Sequence, residues 1–321
     1  MVLYQNWKIS ILSVSFLTYH VICLTETFVG NDFESSIFRD YLIFTSKAKK
    51  FSYQGRYSGG VIVMIKKLFA SYVELIDTEI ENTIVIKMHK DLLGTDNDTM
   101  LVCTYVPPYD SPFWKTSYGV YGMEVLEHCI LELQSLYDNF SLLLMGDFNA
   151  RTASNNYSMN NENDEFDRLQ WLADSKLPRK SQDMQTNVFG NQLIEICNMF
   201  DCIILNGLCD SGFDDSYTFI APSGSSTVDY FIMSSDLFAS VEILSLVIKS
   251  LTESDHLPVT MKVQVTNTIA EETHKHPKQG VSCDKLIWNK VKEGEFLDVL
   301  RSSDIQNRLD RKSTRLNSSH V

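Results

Sequence analysis

The chain has 321 residues, 44% hydrophobic and 21% charged, enough to bury a large core and too apolar for disorder. Its 28 Lys and Arg stand against 41 Asp and Glu, a formal charge of −13, so the surface as a whole repels phosphate and tight, unaided nucleic-acid binding is excluded. The seven cysteines include no Cys-x-x-Cys pair, which argues against a disulfide framework and for a reduced, intracellular setting. No window approaches the roughly twenty apolar residues of a spanning helix, so no membrane partner is expected.

Taken in chain order, the apolar stretch Ile9–Cys23 is interrupted by Thr18, Tyr19 and His20 and lacks a small-residue cleavage site, so it reads as core rather than as a signal peptide. Short runs rich in β-branched residues then predict strands at Val21–Leu24, Val61–Ile65, Thr83–Ile86 and Leu101–Tyr105, each buried on at least one face. Met123, Leu126, Ile130, Leu133 and Tyr137 recur at helical spacing and lead into a predicted strand at Leu142–Met145. Ala153–Asn163 is polar and Asn-rich, a long exposed loop. A second helical stripe, Leu193, Ile196, Cys197 and Phe200, precedes strands at Ile203–Leu205, Val228–Met233 and Val259–Val265. Many strands and few helices predict an α/β domain of two packed sheets flanked by helices over residues 1–265. Beyond it the periodicity weakens: residues 266–311 read as a connector carrying an amphipathic patch at Leu286–Leu300, and 312–321 as a non-native tail.

The chemistry gathers at strand ends. In Gly146-Asp147-Phe148-Asn149 a strand ends in a carboxylate and an amide that alternation can aim to one side, a pair suited to hydrated Mg²⁺ and a phosphoryl oxygen; the same residues also form β-turns. Ser254-Asp255-His256 places an acid and an imidazole at a strand entry, where His titrates near neutrality. Asp229 interrupts an apolar strand and needs a partner, either a histidine it orients or a structural Arg or Lys. Glu26 and Tyr105 close two further strands; Glu is a hard oxygen ligand and Tyr either a phosphate donor or a rim residue.

The order Glu26, Tyr105, Asp147-x-Asn149, Asp229, Asp255-His256 resembles the endonuclease/exonuclease/phosphatase superfamily. That resemblance covers about Val21–Val265 and implies a four-layer α/β/β/α sandwich of the DNase I type. It implies a Mg²⁺ cofactor, replaceable by Mn²⁺, held by Glu26 and Asp255, with Asp147, Asn149, Tyr105 and His256 catalytic and Asp229 orienting the histidine. The run Arg179-x-Ser181-x-Asp183, then Asn187, Gly190 and Asn206-Gly207, is similar to the endonuclease domains of non-LTR (LINE-type) retrotransposons. It implies a DNA-nicking endonuclease acting in the nucleus, from a truncated open reading frame whose parent also carries a reverse transcriptase; the alternatives are an inactive remnant or, less favoured, a phosphatase or sphingomyelinase. Arg151, Arg179, Asn187 and Asn206 are the expected substrate contacts. Arg151, Arg168, Arg179 and Lys180 are the expected basic patch for weak, salt-dependent DNA binding. Family members open with a strand bearing Asn-x-x-Gly; here Asn6 lacks the following Gly, so the first strand is expected to be lost or diverged, with Lys8–Ser15 as its alternative.

Overall fold

The structure, a computed structural model, describes residues 2–5, 19–31, 33, 36–51, 55–115, 121–155, 178–208, 212–248 and 254–264. In chain order the first sheet takes β1 (Val2–Gln5), β2 (Val21–Thr25) and β3 (Tyr41–Ser46). A small hairpin of β4 (Lys49–Lys50) and β5 (Tyr57–Ser58) leads to β6 (Val61–Lys66), which returns to the first sheet. The chain then builds β7 (Val73–Ile76), β8 (Thr83–Met88), the short α1 (Lys90–Leu93), β9 (Asp98–Tyr105), α2 (Glu124–Leu136), β10 (Phe140–Asp147) and α3 (Val188–Met199). It closes with β11 (Cys202–Ile204), the hairpin β12 (Phe219–Ala221) and β13 (Gly224–Ser226), then β14 (Asp229–Ser234), α4 (Ser235–Ser240), β15 (Glu242–Ile248) and β16 (Val259–Gln264).

Two six-stranded sheets result, ordered β15-β16-β1-β2-β6-β3 and β11-β14-β10-β9-β8-β7. Because side chains alternate along each strand, both central faces are apolar. Cys23, Val63, Leu101, Met145, Phe231 and Met261 form the core between the sheets. The opposite face of the second sheet, with Val102, Leu144 and Ile232, packs on Leu126, Ile130 and Leu133 of α2 and Leu193 and Cys197 of α3. Each such side chain contributes about 1.5–3 kcal/mol by leaving water. Ile22, Leu24, Ile62 and Met64 face the other way, onto Phe38 and Tyr41. This is the α/β sandwich of two face-packed sheets expected from the sequence, and the described cysteines, Cys23, Cys103, Cys129, Cys197 and Cys202, are free buried thiols.

The expected loss of the first strand is corrected. β1 pairs in parallel with β2, Gln5 opposite Thr25, and antiparallel with β16, Val2 opposite Thr260. Its backbone is thus held on both sides, although four residues are too few to register as an apolar run. Asn6 and Lys8–Ser15 lie outside the described residues, as do Arg168, the connector at 266–311 and the tail at 312–321. Among the described residues no helix is long and apolar enough to cross a membrane.

Candidate active site

Three neighbouring strands of the second sheet bring their chemistry into one row. Asp147 of β10 is opposite Tyr105 of β9 on one side and Asp229 of β14 on the other. In-register residues share a face, here the one turned to the first sheet, at the end of the core containing Met145 and Phe231. Gly146 is required for this packing: a Cβ there would lie 1.8 Å from the Thr104 carbonyl oxygen of the adjoining strand.

The first sheet supplies the facing groups. Glu26 follows β2 in a left-handed conformation, φ +48°, and its carboxylate accepts a hydrogen bond from the Tyr105 hydroxyl. His256, just before β16, is buried, and its Nδ1 lies 2.9 Å from Asp229 Oδ2. The Phe219 ring lies against the imidazole, centroids 4.8 Å apart. Asp147, Asp229 and His256 offer ligand atoms all within 4.8 Å of one another.

Burial and mutual charge set the protonation states. Burial would lower the His256 pKa, but the Asp229 carboxylate and its hydrogen bond outweigh it, with Asp147 and Glu26 adding to them, and raise it to about 9. The ring is therefore an imidazolium at neutral pH, with Nδ1–H given to Asp229 and Nε2–H left to donate. Burial, and then the Asp229 charge, push the Asp147 carboxyl well above the usual range. Burial together with the Glu26 and Asp147 charges raises the Tyr105 phenol, so it remains a hydrogen-bond donor.

Asn149 reaches Asp147 by a route other than strand alternation. β10 ends at Asp147, Asn149 turns left-handed at φ +48°, and its backbone N–H donates to Asp147 Oδ1 at 2.9 Å. Its side-chain amide donates to Asp147 Oδ2 at 3.1 Å and to the Val106 carbonyl at 2.9 Å. The turn and the site are one object, so the two readings of this motif do not compete.

Several expected contacts are placed elsewhere. Asp255 is exposed and stands outside the Asp147, Asp229 and His256 group; its carbonyl accepts from Ile220 N–H. The four residues expected to touch substrate each hydrogen-bond to the protein itself. Arg151 makes a two-pronged pair with buried Asp183, at 2.8 and 2.6 Å. Arg179 is buried and donates to the carbonyls of Asn206, Ala153 and Asn155 and to Thr152 Oγ1. Asn187 caps α3 through Gly190 N–H and also accepts from Arg151 N–H, while its amide holds the Asn149 carbonyl. Asn206 clips β14 by donating to the Asp229 carbonyl and accepting from Phe231 N–H. Arg and Asn read as ligand contacts because they carry donors; a buried irregular backbone needs the same donors.

Thr218, the middle residue of Tyr217-Thr218-Phe219, is a positioning residue. It is fully buried; its hydroxyl oxygen accepts from the N–H groups of Val228 and Asp229, and its carbonyl accepts from Leu257 N–H. It thereby ties the start of β14 to the loop carrying His256.

A family model described as endonuclease-reverse transcriptase matches residues 99–260, half of the chain. The chain belongs to this family. It is thereby a member of the endonuclease/exonuclease/phosphatase superfamily, whose common activity is hydrolysis of phosphodiester bonds. Among solved structures, the endonuclease domain of TRAS1, a telomere-specific non-LTR retrotransposon, is 15% identical over 83% of this chain and 98% of its own, with a TM-score of 0.49. The Xenopus laevis APE2 catalytic domain is 17% identical over 82% and 92%, TM-score 0.44, and the human Nocturnin catalytic domain 13% over 79% and 84%, TM-score 0.46. No curated protein gives a significant sequence match.

Proposed function

We propose that this family member is a divalent-metal-dependent endonuclease that nicks DNA, its domain over residues 1–265 joined to the connector at 266–311. The observation that carries the reading is the row Tyr105, Asp147, Asp229, with His256 bound to Asp229 and Glu26 bound to Tyr105. The donor set fits a hard cation: Glu26, Asp147 and Asp229 gather three carboxyl groups around one imidazolium. Glu26 is the residue that would hold Mg²⁺ or Mn²⁺, since Asp229 and His256 are committed to each other and Asp147 is kept for the proton. Such an ion supplies Lewis-acid stabilisation of charge on the phosphoryl oxygens.

The chain's own groups do the rest. His256, held as imidazolium by Asp229, donates from Nε2 to a non-bridging oxygen as its charge grows. Tyr105 gives its one proton to Glu26 and so holds that carboxylate in place. Asp147, with its affinity for a proton raised, accepts one from the attacking water. Asn149 fixes the Asp147 carboxylate from two sides. With a chain charge of −13, DNA affinity is weak and strongly salt-dependent.

Plasmid nicking with Mg²⁺ and with EDTA tests this. Nicking should require the metal, and Asp147→Ala and His256→Ala should each lower it by about 10² or more with unchanged circular dichroism. A folded protein that nicks in EDTA, or nicks equally well without either side chain, would refute the assignment.

A further inference from the structure

Arg151 and Arg179, two of the four basic residues expected to meet DNA, are hydrogen-bonded to the protein itself, Lys180 is exposed and Arg168 lies outside the described residues, yet a different surface beside the cleft has the composition they were expected to supply. The segment 47–58 carries Lys47, Lys49, Lys50 and Arg56 and no acidic residue, in a chain of charge −13. All four are exposed. Lys50 lies over the Tyr57 ring at 4.7 Å, and Lys49 pairs with Glu81. This hairpin is rooted at the site: Thr27 N–H and Phe28 N–H, immediately after Glu26, donate to the carbonyls of Gly60 and Gly59 at its base, and Ala48 N–H donates to the Val29 carbonyl.

From Tyr105, on the other side of the Glu26 contact, the chain runs through Pro107 and Pro108 to Tyr109, whose side chain is exposed. An exposed aromatic is ordinary where it is loose; this one is clamped. Trp114 Nε1–H donates to the Pro108 carbonyl at 2.8 Å, and the Tyr121 hydroxyl donates to the Tyr109 carbonyl. Tyr121 and Phe189 hold the Tyr109 ring at centroid distances of 5.4 and 5.7 Å. Phe51, just after β4, packs edge-on to Phe113 at 5.9 Å, and Phe113 packs on Trp114. The basic hairpin and the aromatic turn are therefore one continuous strip, and both of its roots are residues of the candidate site.

We infer that this strip receives a DNA strand with an unpaired base next to the scissile phosphate: the base stacks on Tyr109 while Lys50 and Arg56 meet the flanking phosphates. A ring already fixed in place loses little freedom on binding, and stacking is indifferent to the net charge that opposes phosphate elsewhere on this chain. The inference rests on the proposed endonuclease reading and narrows its substrate to DNA that is unpaired or readily unpaired at the cleft.

The test uses the full chain in EDTA, with fluorescence anisotropy on a fluorescein-labelled perfect duplex and on the same duplex carrying one unpaired base. The wild type should prefer the second. Tyr109→Leu, which keeps an apolar side chain on Phe189, should bind the unpaired-base duplex about tenfold more weakly and the perfect one almost as before, and Tyr109→Phe should restore the preference. Lys50→Gln with Arg56→Gln should weaken both and flatten the salt dependence by about 0.9 for each phosphate that is no longer neutralised. Equal affinity of the wild type for both duplexes, or unchanged binding by Tyr109→Leu, overturns the inference. Failure of a wild type that binds through Tyr109 to nick DNA on adding Mg²⁺ leaves the strip standing and overturns the endonuclease reading instead.

Discussion

Arg179 separates two roles that a sequence cannot, and replacing it by Met and by Lys tells them apart. Its guanidinium donates to Asn206 O at 2.7 Å and to Thr152 Oγ1, Ala153 O and Asn155 O at 2.8 Å each, and lies 5.4 Å from the Tyr230 ring centroid. Met leaves those acceptors buried without a donor, which costs about 1–3 kcal/mol apiece before the relief of removing a buried charge. That relief is real, because burial, only partly offset by Tyr230, Cys197 and Asp183, lowers the Arg179 pKa. A net loss of about 3 kcal/mol is expected, which in a domain of this size lowers the melting temperature by about 6–12 °C. Lys keeps the charge but replaces a planar fork by one point, so it should destabilise nearly as much. Thermal melts in EDTA read the stability, and DNA anisotropy across a KCl series reads the charge. A phosphate contact would give the reverse pattern: unaltered melting, a salt slope reduced by about 0.9 in the Met variant and preserved by Lys. That result would refute the internal role assigned here.

Asp147→Asn should abolish nicking yet stabilise the metal-free protein by about 1–2 kcal/mol at pH 8, because it removes a buried carboxyl crowded by Asp229 and Glu26; urea melts in EDTA showing a loss instead would contradict the charge deficit. Gly146→Ala has no room beside Thr104 O and should cost about 3 kcal/mol or prevent accumulation, read by soluble yield and urea midpoint; a normal midpoint would disprove the close packing of β9 on β10. Burial would raise the Asp183 pKa, but Arg151 and the N–H groups of Thr227 and Gln185 hold it below 3.8, so its stabilisation is present above 3.8 and lost as pH falls through the lower folded value. Asp183→Asn should therefore cost about 2 kcal/mol at neutral pH, and its denaturation midpoint should converge on that of the parent in acid; a gap independent of pH would show that the ion pair is not its origin.

The elements legible in the sequence are those with a continuous buried run or a buried helical stripe. All eight predicted strands exist, and the two helical stripes became α2 and α3. The strands that were not legible include three at sheet edges, β3, β7 and β15, where partial exposure mixes polar residues into the run, as Glu242 and Ser245 do in β15. Tyr105, Asp147, Asp229 and His256 converge because each ends a strand or opens one, and strand ends on facing sheets meet at one rim. Asp255 and the Arg and Asn contacts did not, because a residue type declares what it can bond to and not which way its backbone turns it. The His256 and Asp229 pairing was one of two readings left open by the sequence, and the 2.9 Å contact decides it.

The charge balance of the chain also follows from where its charges go. A net −13 averaged over a surface would exclude phosphate, but field near a site depends on the charges within about a Debye length, ~8–10 Å. Around the row Tyr105, Asp147, Asp229 three carboxyl groups stand against one imidazolium, so without a cation the site does not attract the substrate that the family hydrolyses. On the proposed reading, metal binding and substrate binding are coupled: a divalent ion supplies the missing positive charge, and DNA in turn must raise the affinity for the ion by the same factor. The basic hairpin at 47–58 adds attraction that does not depend on the metal, because its four cations lie outside the carboxylate row. DNA affinity in EDTA should therefore be carried by the hairpin and the aromatic turn beside it, whereas the increment gained on adding Mg²⁺ should vanish in Glu26→Ala and survive in the Lys50→Gln, Arg56→Gln variant.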